Sequence, residues 1–380
     1  MAGSRRGACE ALTVVCLTPH FAGDQGNSGL NTADGEMDMR GFFGWKNGSS
    51  DKGGAGGTQA QATAVAAPFK ANVTDVKLEY TTETITAATL TQMSTTPDAR
   101  FKEIMAAAVK HLHAFARDVN LTPSEWIKGI DFMTRTGQKC TPSRQEVILL
   151  SDCLGLSTLI NTMHDKTAVE EATHSSLLGP FFRENAPKFK PGEQISRKDS
   201  SDEVVLWGKV TDTKGRPLPH AIVSVWQTAT DGRYDMQQDD DTMDCRGEFT
   251  TDAEGNYLIR SVRPLFYSIP MDGPVGEMIR AQKRHGNRPA HVHFLISAGG
   301  HREMVTALYI ANDPHIMDDV VFGAHGDLIA AIKTDQPGCP VPGVNSIKFN
   351  FALSVESEAD KTSGRVGADP SKIGAAAHGH

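Results

Sequence analysis

Residues 204–234 read VVLWGKVTDTKGRPLPHAIVSVWQTATDGRY, and this stretch decides the fold class. Two short valine-rich runs, 204–210 and 221–228, are separated by the turn residues DTKGRP. Such runs, bounded by glycine and proline, are typical of strands in an antiparallel sheet. Similar runs follow at 247–251, 256–262, 291–297, 304–310 and 346–354. Together they predict an antiparallel β-sandwich rather than a parallel sheet.

Upstream of the sandwich the hydrophobic pattern becomes helical. One helix face is predicted from the spacing of Ile104, Ala108, Leu112, Phe115 and Val119. Thr-Pro pairs at 96–97, 122–123 and 141–142 mark three predicted helix starts, and Glu125 is placed to close a capping box. The third helix is predicted to carry VILLSDCLGLSTLI. A further apolar set, which fits either a domain interior or a dimer interface, comprises Trp126, Ile127, Ile130 and Met133.

The chain is therefore predicted to be mainly β with α, in four parts. Residues 1–72 and 356–380 are rich in Gly, Ala and Ser without hydrophobic period, so we expect a disordered N-terminal extension and a disordered tail. Residues 73–200 form the helical region, and residues 201–355 form the β-sandwich domain.

Composition excludes several classes of function. The 380 residues include 38 basic and 46 acidic side chains, so no basic face is expected for nucleic acid. No apolar run approaches the roughly 20 residues of a membrane span. The six cysteines lack CxxC spacing, which argues against a disulfide framework or a thiolate zinc site. We expect a soluble protein of the reducing cytosol.

Four side chains carry the candidate chemistry. His291 and His293 lie two apart on a predicted strand, so both leave the same face and could share one metal. Tyr234 and Tyr267 stand at strand edges, and a phenolate is a hard ligand that suits a trivalent ion such as Fe(III). The residues alone leave two alternatives open: histidines and tyrosines at a solvated rim, or a zinc or Fe(II) site completed by a carboxylate.

Seven ordered motifs resemble the intradiol ring-cleaving dioxygenases, the catechol and hydroxyquinol 1,2-dioxygenase family. The resemblance covers roughly residues 73–353. The motifs are HLHAFARDVNLTPSEW (111–126), TGQKC (136–140), RQEVILLSDCLGLS (144–157), ATHSSLLGPFF (172–182), VWQTATDGRYDMQ (225–237), GEFTTDAEGNYLIRSVRPLFYSIPMDGPVG (247–276) and RPAHVHFLISAGGHREMVT (288–306).

The resemblance implies an iron enzyme with a catalytic β-sandwich. Its Fe³⁺ ligands would be Tyr234, Tyr267, His291 and His293, with Tyr267 leaving the metal when substrate binds and Arg288 as the active-site arginine. A small aromatic ortho-diol and O₂ would give a cis,cis-muconate-type diacid in aromatic compound catabolism, without NAD, flavin or haem. The family also implies a homodimer through the helical linker region, with lipid in a tunnel.

The resemblance also points to a substrate pocket. Its candidate lining is Leu149, Asp152, Leu177, Gly179, Pro180, Phe181 and Val320. A carboxylate at Asp152 could accept a hydrogen bond from a third ring hydroxyl, which favours hydroxyquinol over catechol. Ala307 stands where the catechol branch tends to carry glutamine, and no chemistry is predicted for residues 313–325. The competing class is a non-catalytic transthyretin-like sandwich, which resembles residues 208–226 and 251–259 but lacks the two tyrosines and two histidines.

Overall fold

The computed structural model describes residues 80–141, 144–165, 171–197, 202–238 and 242–358. The predictions for residues 1–79 and 359–380 lie outside these ranges. The described chain divides into two compact units, and the division falls after Trp126. The predicted boundary between residues 200 and 201 lies just before the first strand, which begins at Glu203. As a domain boundary it stays a prediction.

The first unit is helical. It contains α1 (Ile85–Gln92), α2 (Ala99–Asp118) and the start of α3 (Pro123–Gln138). Asp98 caps α2 by accepting a hydrogen bond from the Phe101 N–H at 2.8 Å. At α3 the Glu125 carboxylate accepts from the Thr122 N–H at 3.0 Å, which confirms the predicted capping box.

The second unit contains the rest of α3 and three further helices, α4 (Glu146–Cys153), α5 (Leu156–Asp165) and α6 (Pro274–Ala281). The single helix predicted over VILLSDCLGLSTLI is wrong, because α4 and α5 are separate. Gly155 lies between them with φ +75°, a left-handed conformation that glycine adopts without steric cost. No single helix in the described ranges is long and apolar enough to cross a membrane; α4 and α5 pass that test only as a pair, bent by 70°.

Two five-stranded sheets form the sandwich. One has the order β10-β11-β1-β12, with β4 also paired to β1, and the other has the order β3-β2-β7-β8-β9. β5 and β6 form a separate ribbon. The strands are β1 (Glu203–Asp212), β2 (Ile222–Gln227), β3 (Arg246–Thr250), β4 (Asn256–Val262), β5 (Tyr267–Ser268), β6 (Asn287–Arg288), β7 (His291–Ser297), β8 (Met304–Ile310), β9 (Ile329–Ala330), β10 (Lys333–Thr334), β11 (Asn345–Lys348) and β12 (Phe351–Leu353).

The predicted sandwich is confirmed, with two differences in detail. Three pairings are parallel, namely β1 with β11, β1 with β12, and β8 with β9. The last predicted strand is also split at Phe349 and Asn350. A Cβ on Gly208 of β1 would lie 1.7 Å from the Phe349 carbonyl oxygen, so the two backbones approach too closely there for regular pairing.

The alternation of side chains along β7 places both histidines on the outer face of the second sheet. Val292, Phe294 and Ile296 face the core between the sheets. His291, His293 and Leu295 therefore face the opposite side, yet they are also buried. Other buried side chains cover that face: Leu178, Phe181, Trp226, Tyr234, Tyr267 and Val305. A strand buried on both sides thus carries both histidines into a water-excluded layer.

Candidate metal centre

The four predicted ligands come together on this layer. The Nε2 atoms of His291 and His293 lie 3.0 Å apart, and the Tyr234 hydroxyl lies 3.3 Å from His291 Nε2. The Tyr267 ring centroid is 5.4 Å from that of Tyr234 and 5.8 Å from that of His291. All four side chains are buried. The alternative of a solvated rim does not describe them.

Neighbouring elements hold each of the four donors. Trp226, opposite His293 in the β2–β7 ladder, stacks on the His293 ring at 4.9 Å between centroids. Phe181 stacks on the Tyr234 ring at 4.3 Å. β5 and β6 pair Tyr267 directly with Arg288. These contacts fix the donors before any ligand arrives.

A buried ion pair fixes the turn that carries Tyr234. The Arg246 guanidinium and the Asp235 carboxylate, both 1% exposed as side chains, are hydrogen-bonded through two nitrogens, and Nε lies 2.6 Å from Oδ2. Asp235 follows Tyr234 directly in the sequence. This pair therefore anchors the tyrosine to the start of β3.

The chemistry of this donor set fits a cation. The His291 Nδ1 lies 2.7 Å from the Pro289 carbonyl oxygen, which can only accept, so Nδ1 carries the proton and Nε2 presents a lone pair. Three groups converge on that lone pair: the Tyr234 hydroxyl, His293 Nε2 and the Arg288 Nη1, the last at 3.2 Å. Two of these groups, the Tyr234 hydroxyl and the guanidinium, can donate a hydrogen bond, and one lone pair cannot serve both while a second imidazole nitrogen also approaches it. A metal ion bound by both imidazoles and the phenol oxygens would resolve this conflict.

Burial sets the proton affinities of these side chains. It lowers the pKa of His291 well below the usual range, with a further contribution from the Arg288 charge, so the imidazole is neutral and able to bind metal. It lowers the pKa of His293 in the same way. It raises the pKa of Tyr234 well above the usual value. Burial therefore favours the neutral phenol of Tyr234, and a metal cation bound at this position would favour the ionised form.

Arg288 borders the four donors and is 3% exposed. Burial disfavours its charge, but the Asp319 carboxylate and neighbouring phenols raise its pKa well above the usual value. Its Nε and Nη2 donate to Asp319 at 3.2 and 3.3 Å, and Nη2 also donates to the Tyr309 hydroxyl at 3.2 Å. A permanent positive charge thus faces the centre.

The predicted pocket residues fall into two groups. Phe181 and Gly179 border the donors, since a Cβ on Gly179 would lie 3.3 Å from His293 Nε2, and Pro180 between them is half-buried. Leu177 and Val320 belong to an apolar cluster that includes side chains of α4 and α6, and the partly buried Leu149 of α4 packs against it. Asp152, on α4, is buried and lies within electrostatic reach of Arg288.

Sequence reasoning missed Asp319, Tyr309 and Ser176. Tyr309 lies opposite His291 in the β7–β8 ladder, and its hydroxyl lies 2.9 Å from Ser176 Oγ. Its place two residues after Ala307, which is paired with His293, was a usable signal once the two strands were taken as neighbours. Asp319, in the loop given no chemistry, carried no signal in the sequence.

Two groupings of histidine with aspartate lie elsewhere in the described ranges. In one, the Asn287 N–H donates to His285 Nδ1 at 3.1 Å, so His285 Nε2 carries a proton and donates to Asp318 at 3.0 Å. That nitrogen has no free lone pair for a metal. The other grouping is more exposed and consists of His174, His325 and Asp327.

Neither grouping includes His291 or His293. Among the residues that the structure describes, no carboxylate or thiol lies within 4.8 Å of both as a third ligand. The alternative of a zinc or Fe(II) site completed by a carboxylate therefore has no support in this geometry.

Gly179 provides a test of the geometry with a matched control. Gly179 and Gly215 have φ +73° and +74°, but a Cβ on Gly215 would meet nothing within 4 Å. Each Gly→Ala change is expected to destabilise the fold by about 1 kcal/mol through backbone strain. Only Gly179→Ala should also lower metal retention and turnover, because its methyl group presses on His293. Equal metal content and turnover in the two variants would contradict this placement.

Comparisons with known proteins give the class of enzyme and the family to which the chain belongs. The family model described as "Dioxygenase" matches residues 177–355, and the model described as "Catechol dioxygenase N terminus" matches residues 98–172. The chain belongs to the intradiol ring-cleavage dioxygenases, which confirms the predicted family.

Three relatives illustrate the similarity. The 6-chlorohydroxyquinol 1,2-dioxygenase of Cupriavidus pinatubonensis is 41% identical over 279 residues, covering 73% of this chain and 98% of the relative. The catechol 1,2-dioxygenase of Candida albicans is 35% identical over 291 residues, covering 75% and 96%. The crystal structure of a hydroxyquinol 1,2-dioxygenase from Pseudomonas putida DLL-E4 superposes with a TM-score of 0.68 at 39% identity, covering 72% of this chain and 99% of that one.

Proposed function

We propose that the protein is an Fe(III)-dependent intradiol dioxygenase that uses O₂ to cleave an aromatic ortho-diol between its two hydroxylated carbons, with hydroxyquinol preferred to catechol. The product is a cis,cis-muconate-type diacid. The observation that carries the proposal is the convergence of two imidazoles and two phenols beside one buried guanidinium. A non-catalytic transthyretin-like module has no use for such a cluster.

In this proposal Tyr234, Tyr267, His291 and His293 would hold the ferric ion, which when bound would supply Lewis-acid activation of the ortho-diol. The protein residues then act around it. Tyr267, the less enclosed of the two tyrosines at 7% exposure against 0%, would be a phenolate in the loaded site and would take a proton from a substrate hydroxyl to become a neutral phenol. The Arg288 guanidinium stabilises negative charge that develops on the bound ring.

The buried layer also excludes water from the ring. Phe181 and the backbone of Gly179 close one side of the donors. The cluster that contains Leu177 and Val320, with Leu149 packed against it, offers an apolar wall on the side of α4. Exclusion of bulk water strengthens the effect of the Arg288 charge on the substrate.

Two observations support hydroxyquinol as the preferred substrate. Asp152 places a buried carboxyl group within electrostatic reach of Arg288, where it can pair with a third ring hydroxyl. Ala307 lies directly opposite His293, so no amide is present at that position. The relatives named for hydroxyquinols are 41% and 39% identical, against 35% for the relative named for catechol.

Oxygen uptake by the iron-loaded protein tests the proposal, with hydroxyquinol and catechol side by side and a no-enzyme blank for spontaneous oxidation of the triol. We expect the higher kcat/KM for hydroxyquinol. The visible spectrum should show a tyrosinate-to-Fe(III) band that shifts on anaerobic addition of the diol. A catechol preference would overturn the substrate assignment, and a protein that stays colourless and inactive after iron loading would overturn the whole proposal.

Asp152 also gives a pH prediction. Burial raises the pKa of its carboxyl group from 3.8 to about 6. The folded state therefore binds more protons than the unfolded state between about pH 4 and 6, and the free energy of unfolding falls as pH rises through this window. Asp152→Asn should remove this slope and stabilise the protein above pH 6 by up to about 3 kcal/mol. Denaturant titrations at pH 4.5 and 7.5 check it, and an unchanged slope would contradict it.

The same variant tests the substrate assignment. Asp152→Asn keeps the size of the side chain but replaces an acceptor oxygen with an amide nitrogen. We expect the preference for hydroxyquinol over catechol to fall by about tenfold, which corresponds to one lost hydrogen bond. An unchanged ratio would place the third hydroxyl elsewhere.

We also propose a homodimer through the helical region. On α3, the side chains of Trp126, Ile127 and Ile130 are between 38% and 54% exposed, so they are available to pack against a second copy of the chain. Light scattering after size exclusion tests this, and a monomer at micromolar concentration would contradict it. Bound lipid remains a prediction.

The cytosol is the proposed compartment, supported by the free thiols of Cys140, Cys153, Cys245 and Cys339.

A further inference from the structure

Asp319 is an acceptor at the centre of a buried network. Its side chain is 3% exposed. Four donors reach it: the Arg288 Nε and Nη2, the Val321 N–H at 3.3 Å and the Gly323 N–H at 3.0 Å. We propose that Asp319 is a positioning residue for the reaction, which acts by orienting the Arg288 guanidinium toward the metal centre. This inference rests on the proposed function.

The guanidinium nitrogens of Arg288 divide between two partners. Nε and Nη2 form one edge of the fork, and both donate to the two oxygens of Asp319. Nη1 makes no contact with the carboxylate and lies 3.2 Å from His291 Nε2. The carboxylate therefore holds the rear edge of the guanidinium and leaves one nitrogen directed at the site.

Asp319 is itself fixed independently of Arg288. The loop that contains Asp319 is tied down at three points: the Arg284 Nη2 donates to the Val320 carbonyl at 2.7 Å, the Thr158 hydroxyl donates to the Val321 carbonyl at 3.1 Å, and the Val320 N–H donates to the Asn287 carbonyl at 3.2 Å. Its carboxylate oxygens also accept from the loop's own backbone. The arginine thus takes its orientation from a rigid partner.

The contact between Arg288 and Asp319 is tightly enclosed. A Cβ on Gly323 would lie 2.8 Å from Arg288 Nη2 and 2.7 Å from the Tyr309 hydroxyl. Tyr309 in turn is held by Ser176 at 2.9 Å. The second hydrogen bond of Nη2, to Tyr309, therefore supports the orientation that Asp319 imposes.

Asp319→Asn is the direct test. An amide has one acceptor oxygen, so it cannot accept from both Nε and Nη2, and its NH₂ group repels one of them. With hydroxyquinol we expect kcat to fall about 10- to 100-fold, the effect of a misplaced catalytic group. KM should change less than about threefold, and iron content and the visible band should stay as in the wild type, since Asp319 makes no hydrogen bond to Tyr234, Tyr267, His291 or His293.

Asp318→Asn is the matched control. Asp318 precedes Asp319, is 54% exposed and pairs with His285 and His315 rather than with Arg288. We expect wild-type kcat from this variant. A similar loss in both variants would assign the effect to the loop as a whole and overturn the proposal.

A double-mutant cycle separates positioning from a general structural role. If Asp319 acts through Arg288, then Asp319→Asn should have no further effect on kcat in an Arg288→Gln background. Additive losses would overturn the proposal. Tyr309→Phe, which keeps the ring and removes only the hydroxyl, gives a second arm should Asp319→Asn fold poorly. It should lower kcat severalfold and also show no further effect in the Arg288→Gln background.

The wild-type assay distinguishes the two levels of failure. A wild-type protein that binds iron but cleaves no ortho-diol refutes the proposed function. A wild-type protein that is active, together with an Asp319→Asn variant of unchanged kcat, refutes only the role of Asp319.

Discussion

Replacing His291 with alanine is expected to abolish iron retention and to lower turnover of the diol by more than about 100-fold. Residues that merely orient a metal ligand typically contribute about 10- to 100-fold in affinity or activity, so loss of a ligand should exceed that range. The change also removes the imidazole nitrogen that the Tyr234 hydroxyl, His293 Nε2 and Arg288 Nη1 all approach. Iron content by atomic absorption and oxygen uptake measure the two effects.

The matched control for this variant is His220→Asn. His220 is exposed and has φ +58°, a conformation that asparagine tolerates better than most residues. The His220→Asn substitution removes a histidine that lies outside the candidate metal centre, so iron content and turnover should stay at the wild-type level. A His291→Ala protein that retains one iron per chain and its visible band would refute the assignment of His291 as a ligand.

The second large effect is expected from Arg288→Ala. Arg288 and Asp319 are both 3% exposed as side chains, and removal of the arginine leaves a buried carboxylate without its counter-ion. Breaking such a pair costs about 3–5 kcal/mol of folding free energy. Turnover should fall as well, by about 10²- to 10³-fold, because a charged group beside the reacting ring is lost. Denaturant unfolding and oxygen uptake give the two values.

Arg100→Ala is the comparison for stability. Arg100 pairs with Glu103 on α2, and the two side chains are 61% and 67% exposed. An exposed pair of this kind contributes less than about 1 kcal/mol, so this variant should unfold close to the wild type. If Arg288→Ala unfolds at the same denaturant concentration as Arg100→Ala, the Arg288–Asp319 pair is not buried as described.

Much of the fold could be predicted because it depends on local pattern. The alternation in HVHFLIS predicts β7 and places both histidines on one face, and each strand predicted between 204 and 310 is present. The errors occurred where tertiary contacts override local pattern. The close approach of Gly208 to Phe349 splits the last strand, and the conformation of Gly155 divides α4 from α5.

The candidate site divides in the same way. Tyr234, Tyr267, His291, His293 and Arg288 could be proposed from the sequence because their residue types and motifs carry chemical information. Tyr309 needed knowledge of strand order, since only the β7–β8 register brings it opposite His291.

The sequence by itself determined the family and the sandwich and was enough to propose the residues that bear the chemistry, because periodicity, residue type and ordered motifs are properties of the chain. The tertiary structure alone decided that these residues are buried, that the four donors converge, and that Asp319 holds Arg288. Burial and distance depend on contacts between segments far apart in sequence. Asp319 lies 31 residues after its partner, and nothing in the chain between them specifies the pairing.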